Sequence, residues 1–207
     1  MDIIITDDHK VVREGLAKIF SLQKEFNVIG EAASIRELFD LLEKKVPDII
    51  TLDISLPDRS GLDSIKDIKA LYPDVKIMVF SIYQDETFGH RSLLMGADGY
   101  LSKSADPKEI VSAIKKIYSG GKHLKQEVLE DILLNNNSAT EPLYKKLSDR
   151  EFEVLRMIGQ GEKLTTIADK LNLSVNTIAS YKSRIQEKLN INSTAALIKY
   201  TLDNRLI

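Results

Sequence analysis

The sequence predicts a five-stranded, parallel, doubly wound α/β domain followed by a smaller all-α domain. Three observations carry that expectation. Short apolar runs alternate with stretches of helical spacing from residue 3 to residue 119. The stretch Asn135-Asn-Asn-Ser-Ala-Thr-Glu-Pro142 then has the composition of a linker. Beyond it every periodic segment has helical spacing. A chain of 207 residues is long enough for two small domains.

Ile3–Thr6 is a short apolar strand. Lys10–Leu22 places Val12, Leu16, Ile19 and Phe20 on one helical face. Asn27–Ala32 is a second strand. Ser34–Glu43 is a helix, with Ser34 as N-cap and Glu37 three residues on. Asp48–Asp53 is the third strand, and its Ile49, Ile50 and Leu52 suit a strand buried on both faces. Leu62–Leu71 is a helix ended by Pro73. Val75–Ser81, Glu86–Met95 and Asp98–Leu101 continue as strand, helix and strand. Pro107–Tyr118 is a helix with proline in its first turn, stopped by Gly120-Gly121. Gln126–Leu134 suits a short amphipathic helix within a linker of residues 121–142. In the second domain, residues 143–207, Ser148-Asp-Arg-Glu151 is a capping box. Helices follow at Leu164–Leu171, after Ser174, and after Ser193 or Thr194. Two of them are joined by the short turn Asn172-Leu173-Ser174, which suggests a helix-turn-helix; periodicity alone suits a four-helix bundle equally.

Composition narrows the function. The chain has no cysteine, which excludes disulfides, thiolate metal sites and cysteine nucleophiles. No apolar run approaches the length of a membrane helix, and the start lacks the basic region of a signal peptide, so a cytoplasmic protein is expected. A glycine-rich phosphate loop is missing, which disfavours a nucleotide-binding fold. Residues 141–207 hold 11 Lys/Arg against 8 Asp/Glu, while the first 140 hold 18 against 23. A mildly basic tail on an acidic body points weakly to a nucleic-acid partner.

The chemistry gathers at strand ends. The first strand ends in Asp7-Asp8, the third in Asp53 and the fourth in Ser81, and Lys103 follows the fifth. Open α/β sheets place their ligand crevice at the carboxyl ends of strands, so these groups should converge. Clustered carboxylates need neutralising, by Lys103 or by a divalent cation, most plainly Mg²⁺. Carboxylate, metal, ammonium and hydroxyl are the parts required for phosphoryl transfer onto an aspartate. Taken singly, Asp7-Asp8 would read as a helix cap and Lys103 as a surface lysine. A rival, an aspartate-nucleophile phosphatase of the haloacid dehalogenase type, needs an acid two residues after the nucleophile, and that residue is Ser55.

Asp7-Asp8, Asp53 followed by Leu56-Pro57 and Gly61, Ser81, and Met95-Gly-Ala-Asp-Gly-Tyr-Leu-Ser-Lys103 resemble the receiver domain of two-component response regulators. The resemblance covers about residues 1–120. It implies that Asp53 accepts phosphate from a sensor histidine kinase. It implies that Asp8, Asp53 and the Ser55 carbonyl bind Mg²⁺, with Asp7 acting through water. Ser81 and Lys103 would hold the phosphoryl oxygens, and Tyr100 would be the aromatic switch. Ser104 stands where many receivers have proline.

Leu147-Ser-Asp-Arg-Glu151, Ile167-Ala168, Leu171, Ser174, Thr177-Ile178, Ile185 and Lys188-Leu189 resemble the LuxR-type helix-turn-helix. Receiver plus this domain is the architecture of the NarL/FixJ family of transcription factors, which are not enzymes. The resemblance implies that residues 176–188 lie largely in a recognition helix that enters the DNA major groove. At about 100° per residue, Ile178, Ile185 and Leu189 share one face, with Tyr181 beside them. Asn176, Ser180, Ser183 and Glu187 lie opposite, flanked by Ala179 and Arg184. Asn176, Thr177, Ser180, Lys182, Ser183, Arg184 and Lys188 are the expected DNA-binding residues, with Lys182 and Lys188 on phosphates. Phosphorylation is expected to drive homodimers onto double-stranded promoter DNA.

Overall fold

Ile3, Ile4 and Ile5 are all buried, although successive strand side chains point to opposite faces. Their sheet is therefore covered on both sides, as unbroken apolar runs require. The computed structural model describes residues 1–81, 86–124, 143–204 and 206–207. Contacts divide the chain into two units, Met1–Asn136 and Asn137–Ile207. The short helix expected at Gln126–Leu134 and the linker residues Asn135–Pro142 lie outside the described residues.

In the first unit β1 (Asp2–Thr6), β2 (Asn27–Ala32), β3 (Ile49–Asp53), β4 (Lys76–Ser81) and β5 (Gly99–Ser102) form one parallel sheet in the order β2-β1-β3-β4-β5. The helices between and after them are α1 (Lys10–Ser21), α2 (Ile35–Leu42), α3 (Gly61–Leu71), α4 (Glu86–Leu94) and α5 (Pro107–Tyr118). On one sheet face Ile3, Ile5, Ile49, Met78 and Phe80 pack with Leu16 and Phe20 of α1 and with Ile110, Ile114 and Ile117 of α5. On the other face α2 lies against β1 and β2, and Ile35, Leu38 and Leu42 are its buried residues. The chain leaving α5 returns to the edge strand, where Tyr100 N donates to the His123 carbonyl at 2.9 Å.

The boundaries depart from the sequence reading by a residue in places, for local reasons. Asp48 stays outside β3, and its carboxylate accepts the Asp2 amide at 2.7 Å. At α2, Ser34 Oγ accepts the Glu37 amide, but the Glu37 carboxylate reaches back to Ala33 rather than to Ser34. The remaining free amides of that turn, on Ile35 and Arg36, donate to Asp58 of the β3–α3 loop, at 3.0 and 2.9 Å. A side chain far along the sequence thus completes the cap.

The described part of the second unit opens with a single 3-10 turn, Leu143–Lys146, and continues as α6 (Asp149–Gly159), α7 (Leu164–Lys170), α8 (Val175–Leu189) and α9 (Thr194–Asp203). Ser148 and Glu151 form the expected capping box. Phe152, Val154, Leu155, Ile167, Ile178, Ile185 and Leu197 are fully buried and make up its core. A Cβ added at Gly159 would lie 2.4 Å from Thr201 Oγ1, so α6 and α9 cross as closely as they do only because residue 159 lacks a side chain.

Candidate functional site

The sheet order reverses direction between β1 and β3, which opens a crevice at the carboxyl ends of these neighbours. Thr6 is in register with Leu52, so Asp7 and Asp53 leave the sheet side by side. Both are almost wholly buried, at 1% and 2% exposure. Lys103 joins them: its Nζ is 2.7 Å from Asp7 Oδ2 and 2.8 Å from Asp53 Oδ2. The lysine is placed by its own backbone, whose amide donates to the Ser81 carbonyl at 2.7 Å. Ser81 is itself buried. Tyr100 lies on β5, opposite Val79 of β4, and is half-buried. Convergence of these strand ends is thus a property of parallel register and not of sequence proximity.

Burial dominates the electrostatics of Asp53. It pushes the carboxyl up to about 6, with Asp7 adding to the rise, although Lys103 and the Ser55 amide pull the other way. Burial likewise works against the charge of Lys103, but Asp53 and Asp7 overcome it and hold the ammonium above its ordinary value. Asp8 is more open, with a side chain 21% exposed. Asp7, Asp8, His9 and Asp53 each offer a donor atom within 4.8 Å of the others. Three carboxylates in so small a space fit a divalent cation with oxygen ligands.

Gly61 shapes the other wall. Its amide donates to the Ile54 carbonyl at 2.9 Å, and a Cβ built on it would fall 1.9 Å from the Asp53 carbonyl oxygen. Any side chain here would push the β3–α3 loop off the strand end that carries Asp53.

In the second unit α7 and α8 are joined by a turn in which Asn172 takes the left-handed conformation, with φ 51°. Ser174 then caps α8, its Oγ accepting the Thr177 amide at 3.1 Å. Ile178, Ile185 and Leu189 are buried, and Asn176, Ser180, Ser183 and Arg184 are exposed along the opposite side. Thr177 and Lys182 are half-buried at the edges. Ser180 Oγ donates to the Asn176 carbonyl at 2.9 Å, which spends its proton and leaves its lone pairs to accept. Lys188, expected at a phosphate, has a partner within the protein. Its ammonium sits 2.6 Å from Glu151 Oε2, the buried carboxylate of the capping box. The pair ties the end of α8 to the start of α6, because α8 packs across α6 and brings the lysine over the cap.

Residues 3–115 match the family of response regulator receiver domains, and residues 145–201 match the bacterial regulatory proteins of the luxR family. The chain is a response regulator of the NarL/FixJ family. It is 34% identical to the oxygen regulatory protein NreC of Staphylococcus carnosus, over 100% of this chain and 99% of that one. It is 33% identical to the response regulator UvrY of Escherichia coli, over 95% and 91%. Among solved structures, RcsB of Salmonella enterica serovar Typhimurium bound to the rprA promoter with the phosphomimetic BeF₃⁻ is similar at 30% identity. Its TM-score is 0.64, with 97% of each chain covered. The phosphatase reading has no support among these relatives, which are regulators.

Three residues of this response regulator escaped the sequence reading. His9 stands at the crevice mouth, with Nδ1 2.6 Å from Asp8 Oδ1. Arg13 of α1 donates from Nη1 to the Asp7 carbonyl at 2.6 Å and pairs with Glu31 at 3.3 Å, which fixes the acidic turn. Asp58 ties the β3–α3 loop to α2. Adjacency to Asp8 was the available signal for His9. Nothing in the spacing of Arg13 or Asp58 announced their partners. Among the described residues no helix is long and apolar enough to cross a membrane.

Proposed function

We propose that this response regulator is a cytoplasmic transcription factor whose residue Asp53 accepts a phosphoryl group from a sensor histidine kinase. The observation that carries the reading is the bridge of Lys103 between Asp7 and Asp53, at 2.7 and 2.8 Å. An Asp53 oxygen attacks phosphorus, the P–N bond to the kinase imidazole breaks, and an aspartyl phosphate forms. Asp8, Asp53 and the Ser55 carbonyl are the residues that would hold Mg²⁺, with Asp7 through water. That ion, when bound, offsets the charge of the carboxylates and of the transferring oxygens. Lys103 lies where its ammonium can leave Asp53 for a phosphoryl oxygen, and Ser81 donates a hydrogen bond to another. Tyr100 then turns inward as Ser81 moves, and the receiver, residues 1–120, passes to its second state.

The output is dimerisation and sequence-specific DNA binding by residues 143–207, joined to the receiver by the 121–142 linker. The α8 face of Asn176, Ser180, Ser183 and Arg184 enters the major groove, with Thr177 and Lys182 at its edges. The rprA promoter complex of the RcsB relative supports this assignment. Phosphorylation by a small phosphodonor with Mg²⁺, followed by a DNA shift assay, tests the whole. One phosphoryl group per chain by intact mass is expected, and none on Asp53→Ala. Undiminished phosphorylation of that variant would end the assignment, and a DNA shift indifferent to phosphorylation would end the switch.

A further inference from the structure

Among the described residues, His9 is a donor at the crevice that the phosphoryl chemistry leaves unused. His9 is placed by its backbone amide, which donates to Asp7 Oδ1 at 2.9 Å. Its ring is 64% exposed at the mouth, with Nδ1 2.6 Å from Asp8 Oδ1 and 3.4 Å from Asp7 Oδ1. Adjacent ligands around an octahedral ion with bonds of about 2.0–2.1 Å are separated by about 3 Å. The two observed distances fall on either side of that value. Arg13 grips this turn through the Asp7 and Asp8 carbonyls and so leaves both carboxylates to the crevice.

We propose that His9 Nδ1 is a metal ligand that sets the ion preference of the crevice, so that it takes an imidazole-accepting divalent transition ion, of the Co²⁺ or Zn²⁺ kind, as well as Mg²⁺. The inference rests on the reading of the crevice as a cation site. Mg²⁺ favours carboxylates, carbonyls and water, whereas these transition ions favour imidazole. Without a metal, Nδ1 lies against Asp8 Oδ1. With one, the ring carries its proton on Nε2, which the open mouth exposes to solvent. Asp7, Asp8 and Asp53 supply the negative charge, and Lys103 is the cation that an ion must displace or accept as a neighbour.

The test uses the full chain and His9→Gln, an exposed position whose replacement is checked for folding by thermal unfolding in chelator. Calorimetric titration with Mg²⁺ and with Co²⁺ compares the two proteins. Loss of a direct ligand should lower Co²⁺ affinity by at least about tenfold, the smaller end of what removing an outer-shell partner costs, while Mg²⁺ affinity stays within about twofold. Proton NMR of the Co²⁺-loaded chain should show hyperfine-shifted imidazole C–H resonances that vanish in the variant. Their absence from the wild-type spectrum, or an equal loss of affinity for both ions, would overturn the proposal and reduce His9 to a partner of Asp8. Mg²⁺ binding without imidazole ligation would sink this inference alone. Failure of the wild-type chain to bind either ion would sink the cation reading of the crevice with it.

Discussion

In the crevice the proposed reacting groups are withdrawn from water: Asp7 and Asp53 are buried, Lys103 is half-buried, and the three lean on each other. On α8 the proposed DNA contacts are exposed, and Ile178, Ile185 and Leu189 form the buried face of that helix. Lys188 of that helix pairs with the buried Glu151 of the α6 cap. In the proposed function, the burial that makes Asp53 costly to keep charged is what a bound ion or phosphoryl group relieves. A reading helix must be rigid before its partner arrives, so its stabilising and contacting residues are kept apart.

The sharpest way to break this comparison is at Lys103. Lys103→Ala should still accept phosphate, since Asp53 and the acidic ligands remain, but phosphorylation should no longer drive dimers. Light scattering before and after phosphorylation checks this, and a normal dimerisation response would show that Lys103 is not the switch element.

Asp53→Asn measures the cost of burial. The carboxyl titrates at about 6 in the folded chain against 3.8 for an ordinary aspartate. Between these values the folded state holds more protons than the unfolded one, so stability falls as pH rises through that window. Above it the whole cost, about 3 kcal/mol, is present. The asparagine variant should therefore be more stable by roughly that amount at neutral pH in chelator, and the advantage should vanish as pH falls towards 4. Denaturant unfolding of both proteins across that range decides it; a variant no more stable at pH 7.5 would contradict the burial argument.

Lys188→Met tests the other side. Removing a charge-assisted bond to a buried carboxylate, from a lysine that is partly solvated, should cost the helical unit about 1–2 kcal/mol. Its DNA affinity, measured where the unit is still folded, should keep its salt slope. A slope lowered by about one would return Lys188 to the phosphate contacts.

The smallest effect concerns Arg184. It is exposed on the flank of the α8 face, and the contact proposed for it is a phosphate. Arg184→Ala should weaken binding to all operator variants alike and lower the salt slope by roughly one. A specificity change confined to one base pair, with the slope unchanged, would make it a base contact and take that share of recognition from Asn176, Ser180, Ser183 and DNA shape.

Local pattern was enough wherever the physics is local. Unbroken apolar runs announced strands covered on both faces, Ser148 and Glu151 announced a helix start, and the spacing of Ile178, Ile185 and Leu189 announced which side of α8 is buried. The acidic crevice was legible too, because parallel strands put their carboxyl ends together by rule. Tertiary structure alone decided the rest. Asp58 completes the cap of α2, Arg13 grips the turn that carries Asp7, and Lys188 pairs with Glu151 of the capping box. Each of these is a polar side chain satisfied by a group from another element. Hydrogen-bonding capacity is the same for every aspartate, arginine or lysine in a sequence, and only the packing of one element on another settles which donor and acceptor meet.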